Sequence, residues 1–405
     1  MAVRGVPVTT GLRALAAPRF VVFACLFASQ AALLVLSPIL PEIAREFGRT
    51  TAEAGQLRTV SGAVGGFVAL AIALAPRRPG LRALLSAGAG LVLAGALASA
   101  AAPAFTVLVG AQAVIGAGIG LLVAVGIAAA GDWSAPGERA RTLAWAIAGM
   151  PVAWVVGMPL AGAAGTLGWR ATWVAVPALA ALVTLALLRL RPADPGSVRR
   201  GGAAATMRRP GVARFTVGEL AANAAWAGVL TYGGALLIER HHASAATVAL
   251  GLGVAAAVMV PGTILGRHRD AHATPALLVG LTLVQAVMVI ALMTVAGGAV
   301  AALAVLSVGA FVNGWRSMLA SSLGMDAAPD DEVAVMALRA AANQFGYLVG
   351  AATGGIALAF GGFPAVGAVF AALFVLGAVA HVPPRHRAEP ATLVAPHHVE
   401  VHAGG

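Results

Sequence analysis

Several polar side chains able to hold a solute or a proton lie inside long apolar stretches of this 405-residue chain. Glu219, Asn223 and Trp226 fall at i, i+4 and i+7 within 215–238, which puts a carboxylate, an amide and an indole on one helix face. Asn313 and Arg316 are one turn apart within 298–322. Gln30 and Ser37 share a face within 20–40, Gln112 lies within 104–130, and Tyr232, Asn343 and Gln344 occupy further apolar stretches. Polar groups inside lipid are costly, which marks them as candidates for a solute or ion path. The competing reading of each amide is a hydrogen bond that only ties two helices together. Glu219 is the one carboxylate well inside an apolar block, so it is the candidate proton carrier, with Arg316 as its partner. The competing reading there is a plain salt bridge between the two.

Other chemistry is absent from the sequence. There is no HExxH, no metal-ligand cluster and no nucleophile motif, so an enzyme is not expected. Cys25 is the single cysteine and excludes a disulfide within the chain. His386, His397, His398 and His402 belong to a polar tail, read as disordered rather than metal-binding. No cofactor, metal or nucleic acid is expected.

The elements that carry these residues must be membrane helices. The chain is 60% hydrophobic and 10% charged, far too apolar for a water-soluble surface of this length. Its apolar residues come in blocks of about 20, the length of a helical span. Twelve candidates lie near 20–40, 55–75, 81–101, 104–130, 142–165, 171–190, 215–238, 245–265, 274–296, 298–322, 334–360 and 362–382. The formal charge of +11 is carried by short loops, where topology explains it better than nucleic acid does. Arginines crowd alternate loops, including Arg77, Arg78, Arg82, Arg139, Arg141 and the run from Arg189 to Arg214. The positive-inside rule then puts both termini in the cytoplasm, with Arg45, Arg49, Arg170 and Arg240 opposite and Arg58 at a helix mouth.

The Gly-, Pro- and Arg-rich loop 189–211 divides the spans six and six. The expected organisation is a six-helix bundle over 1–190, a flexible cytoplasmic linker over 191–212, a second bundle over 213–382 and a cytoplasmic tail over 383–405. The halves echo each other weakly: GWRATW (168–173) and GGFPAV (361–366) each lead into the last span of a half. Internal repeats of this kind are typical of secondary transporters.

Small residues recur every fourth position. Gly149, Ala153, Gly157, Ala161 and Gly165 form one stripe, with Pro151 and Pro159 lying off it to bend the helix. Similar rows are Ser61, Gly65, Ala69, Ala73, then Ala245, Ala249, Gly253, Ala257, Pro261, and then Ala342, Gly346, Gly350, Gly354. These rows are expected to line the interface between the halves and let them rock. A row at Ser86, Gly90, Ala94 and Ala98 shows that abundant alanine and glycine also make such patterns by chance.

At these residues the chain resembles the major facilitator superfamily. GMPVAWVVGMPLAGAAGTLGWRATW (149–173) is similar to the helix-5 region of its bacterial drug- and sugar-efflux branch, and LTYGGALL (230–237) to that branch's helix 7. Arg78, Gly80 and Arg82 match the family's loop between the second and third helices, whose acidic position holds Arg77 here. Gln112 stands where the family's membrane-embedded arginine would be. The resemblance implies an all-α fold of twelve transmembrane helices in two pseudo-symmetric bundles, alternating access, and a cavity lined by helices 1, 4, 7 and 10. Gln30, Gln112, Asn223, Trp226, Tyr232, Asn313 and Asn343 are then the expected substrate residues. Arg77, Arg78 and Arg82, facing Asp330 and Asp331 before the eleventh span, are an expected gate; the bland reading of those acids is helix capping.

The expectation is a secondary transporter, monomeric, in a bacterial inner membrane, exporting a small amphipathic organic molecule in exchange for protons. A sugar or amino-acid-like cargo, or a sensor that moves nothing, are the alternatives. The sparse charge of the cavity residues disfavours a strongly anionic cargo.

Overall fold

The computed structural model describes residues 17–75, 77–135, 138–194, 197–198, 203–268, 273–295, 297–328 and 332–382. Its apolar blocks are helices because lipid leaves a backbone no partner but itself. They run α1 Pro18–Glu46, α2 Thr51–Leu74, α3 Leu81–Ala100, α4 Phe105–Asp132, α5 Arg139–Gly165 and α6 Trp169–Arg189. After the linker come α7 Pro210–Glu239, α8 Ala245–His268, α9 Pro275–Val295 and α10 Ala299–Asp326. The last helical stretch, Glu332–His381, breaks at Gly362, where φ is 63°. Gly346, Gly350 and Gly354 climb α7 from Asn223 to Tyr232, whereas Phe370, Gly377 and His381 descend it from Gly228 to Gly218. The chain therefore reverses at Gly362, and α11 (332–361) and α12 (363–381) complete twelve passes.

The passes place Pro18 and Val382 on one face, called near, and the α1–α2 turn on the other, called far. Among the described residues every positive φ lies in a far-face turn: Gly48, Gly168, His242, Gly298 and Gly362. Gly168 and Gly362 open the last helix of each half with φ of 102° and 63°, so the sequence echo between GWRATW and GGFPAV is a shared left-handed turn. α2 starts on a capping box: Thr50 Oγ1 accepts from Glu53 N at 3.1 Å, and Glu53 Oε2 accepts from Thr50 N at 2.8 Å.

The bundles repeat one packing scheme. In the first, Gly116 of α4 sits against Ser61 of α2, and Gly149 of α5 against Phe23 of α1. In the second, Gly314 of α10 sits against Met259 of α8, and Gly346 and Gly350 of α11 against Asn223 and Ala224 of α7. Each contact is a glycine that lets two backbones touch, where packing replaces the hydrophobic effect.

This scheme corrects the reading of the four-residue rows. Gly149 and Gly157 face Phe23 and Leu34 of α1, inside their own bundle, and Gly65 faces Gly116 of α4. Gly346, Gly350 and Gly354 likewise stay within the second bundle. The α8 row crosses the interface, with Ala249 against Gly162 and Gly253 against Pro159 of α5, and so does the α2 row, where Gly65 also faces the Gln344 side chain of α11 and Ala73 packs with Val212 and Phe215. The seam between bundles is also made by glycines off the rows: Gly55, Gly62 and Gly66 receive Tyr232, Tyr347 and Phe345. Gly90, on the α3 row, faces open space.

A paired prediction follows. A Cβ at Gly149 would lie 2.5 Å from the Phe23 carbonyl oxygen, whereas one at Gly90 meets nothing within 4 Å. Gly149→Ala is expected to cost about 1–3 kcal/mol by forcing α1 and α5 apart. Gly90→Ala is expected to gain about 0.5–1 kcal/mol from backbone entropy. Thermal unfolding of the two purified variants checks the contrast.

The linker, expected to be flexible, has local structure where it is described. Arg77–Arg78 pair antiparallel with Ser197–Val198 as strands β1 and β2. Asp194 caps α3, its Oδ2 and Oδ1 accepting from Leu81 N at 2.6 Å and Arg82 N at 2.9 Å. A one-turn helix spans Ala203–Met207.

Candidate functional site

The bundles meet most tightly toward the far face. Thr51 Oγ1 of α2 hydrogen-bonds Glu239 of α7. Tyr232 donates its hydroxyl to the Ala351 carbonyl at 2.7 Å, and Gly55 of α2 leaves room for its ring. The second half of α1 packs on α7 where Gly234 meets Ser37.

At mid-depth the expected substrate residues divide. Gln30 Oε1 accepts from Trp154 Nε1 of α5 at 3.1 Å. Gln112 donates to Ser99 Oγ of α3 at 3.2 Å and is buried within the first bundle. These two amides and Tyr232 thus tie helices together in this structure. Asn313 is buried with Oδ1 unpartnered. Asn223 and Asn343 are partly exposed. Trp226 lines a small apolar cleft inside the second bundle, with Val229, Gln285, Met288 and Phe374.

Nearer the near face is a buried charge cluster. Glu219 Oε1 meets Arg316 Nη1 at 2.6 Å, and Oε2 meets Arg339 Nε at 2.9 Å. Arg339 Nη2 also donates to Ser317 Oγ at 2.7 Å. His381 Nε2 stands 4.0 Å from Glu219 Oε1, its ring edge-on to Phe215. One carboxylate thus gathers α7, α10, α11 and α12, and both Glu219 and Arg316 are fully buried. The sequence reading paired Glu219 with Arg316 but missed Arg339 and His381. Both sit near span ends, where a basic residue looks topological.

A family profile for the Major Facilitator Superfamily matches residues 22–335. The chain belongs to this superfamily. A bacterial homolog of the human lysosomal transporter Spinster, solved inward-facing and occupied, superposes with a TM-score of 0.71 at 16% identity, covering 93% of this chain and 96% of that one. The same homolog, inward-facing and unoccupied, gives 0.67 at 16% identity over 93% and 95%. These likenesses carry the fold: a major facilitator transporter rather than an enzyme, all-helical, crossing the membrane many times.

Two of the superfamily-derived expectations fall on the loop between α2 and α3. Gly80 is the N-cap of α3, and a Cβ there would collide with the Asp194 carbonyl oxygen. Asp194 thereby brings an acid to a loop whose expected acidic position holds Arg77. The partners proposed for Arg77, Arg78 and Arg82, namely Asp330 and Asp331, lie outside the described residues, as does the His-bearing tail. On α5, Pro159 packs against Gly253 of α8, while Pro151 sits between the two glycines that face α1.

Proposed function

We propose that this transporter exports a small amphipathic organic molecule by alternating access, in exchange for protons. The seam supports alternating access. Aromatic side chains of the second bundle seat on Gly55, Gly62 and Gly66 of the first. Across it, near the far face, Thr51 bonds Glu239 and Gln56 donates to the Ala351 carbonyl. A contact of this kind separates without stranding buried charge. Outward direction rests on the resemblance of α5 and α7 to the efflux branch.

Asn223, Trp226, Asn313 and Asn343 are the proposed cargo residues, with Gln30 reaching them if it releases Trp154. The Glu219 cluster is the proposed proton site. Its ion pairs must open before the carboxylate is free to take a proton, so uptake would accompany movement of α10 and α11 relative to α7. The gate role of Arg77, Arg78 and Arg82, the cytoplasmic placement of both termini, and a monomeric state in a bacterial inner membrane complete the reading.

Reconstitution into liposomes tests it. Flux of at least one member of a panel of amphipathic molecules is expected, accelerated by an imposed proton gradient. Flux indifferent to the gradient would leave facilitated diffusion, and absence of flux across the panel would favour a sensor.

A further inference from the structure

Arg58 is 1% exposed, in the α2 stretch that faces α1 and α11. It lies seven residues into its helix, roughly 10 Å from the far end. Its Nη2 donates to the Leu33 carbonyl, midway along α1, and its guanidinium stands 5.5 Å over the Tyr347 ring of α11. Nε and Nη1 have no partner, and among the described residues no carboxylate forms an ion pair with it. A buried guanidinium with two idle nitrogens is among the most costly arrangements a membrane helix can hold.

Two further idle donors lie on the helices it touches. Gln344 Nε2 is unpartnered on a side chain 1% exposed, one turn before Tyr347. Ser37 Oγ is unpartnered on a fully buried side chain, one turn beyond Leu33. Each neighbour therefore sits one helical turn from a residue Arg58 already touches. The set is one buried cation and two uncommitted donors near its contacts, on three helices drawn from both bundles. Only an acceptor carrying negative charge satisfies all of it.

We infer that Arg58, with Gln344 and Ser37, forms the binding site for the head group of a singly anionic amphipathic cargo, a carboxylate or a phosphodiester. This rests on the carrier reading above and narrows its cargo. One charge suits one guanidinium, and the apolar cavity residues suit the remainder of the molecule. Arg58 and Leu33 belong to the first bundle and Tyr347 and Gln344 to the second, so an anion bound there bridges the surfaces that must part. Arg58 had been read only as a topological arginine.

The test is ligand-induced thermal stabilisation of the full chain in phosphatidylcholine nanodiscs, a bilayer with no net anionic lipid. The probes are octanoate, methyl octyl phosphate, octanol and octyltrimethylammonium. Octanoate or methyl octyl phosphate is expected to raise the unfolding midpoint, and whichever does so more strongly names the head group. Octanol and octyltrimethylammonium at the same concentration are expected to leave it unmoved. R58Q is expected to weaken the anion at least roughly tenfold, the scale of one charge-assisted hydrogen bond. It should also unfold no earlier than the parent without ligand, because an unpaired buried charge is gone. Gln344→Leu keeps the charge and removes the idle donor one turn from Tyr347; a several-fold weakening is expected, and this variant carries the test should R58Q fail to fold. Equal stabilisation by all four probes, or unchanged anion binding in both variants, overturns the site. Liposome flux separates the two readings. Arg58-dependent binding without flux sinks the carrier and leaves the site, while Arg58-independent flux of a neutral or cationic probe sinks the site and leaves the carrier.

Discussion

Glu219→Gln is expected to cost about 3–5 kcal/mol of stability, the penalty for leaving a buried charge without its partner. Glu219 is the sole carboxylate within salt-bridge reach of Arg316 and Arg339 among the described residues. Removing its charge strands two guanidiniums, one of them fully buried. Arg316→Met should cost clearly less, because Arg339 stays opposite the carboxylate at 2.9 Å and leaves one charge against one. Thermal unfolding of the purified variants ranks them, and equal losses would show that the cluster does not act by charge balance. Whatever Glu219→Gln protein folds also tests proton carriage. Export that still follows an imposed pH gradient as in the parent removes Glu219 from the coupling route.

The second large effect is expected at the far face. Thr51→Cys with Glu239→Cys replaces a hydrogen-bonded pair that joins α2 of one bundle to α7 of the other. The background is clean, since Cys25, the sole cysteine, is fully buried. A mild oxidant is expected to link the pair and bring flux down to that of protein-free liposomes, with reduction restoring it. Each single-cysteine variant should transport under the same oxidant. Undiminished flux through quantitatively cross-linked protein would mean that the bundles need not part at this face.

Much of the architecture was legible because lipid imposes a coarse rule. A block of about 20 apolar residues crosses as a helix whatever its neighbours are, and the twelve blocks read from the sequence are the twelve passes observed. The partner of each face was less legible. A row such as Gly149, Gly157 and Gly165 declares a smooth face but not which helix lies on it. α1 lies on Gly149 and Gly157 and α6 on Gly165, not the other bundle. The seam uses Gly55, Gly62 and Gly66, seven and four apart and so on one face of α2, a face the four-residue rows did not single out. Polar residues were harder still. Gln112 and Asn313 look alike as amides in apolar text, yet one is bonded to Ser99 and the other has an idle oxygen. Arg58 and Arg339 were hidden by the many arginines of the chain, which near span ends read as topological.

The β1–β2 pairing and the Asp194 cap change what the central loop can do. Its first part is fastened to the first bundle, so only the stretch from Val198 to Pro210, twelve residue steps, is left as a leash to the second. Five of those residues are wound into the turn Ala203–Met207. Extended chain at about 3.5 Å per residue and helix at 1.5 Å give a maximum reach of roughly 30 Å, under half of what the whole loop would span if untethered. The swing of one bundle about the other is thus bounded by a short strap on the near face, and lengthening the loop before Ser197 would not loosen it.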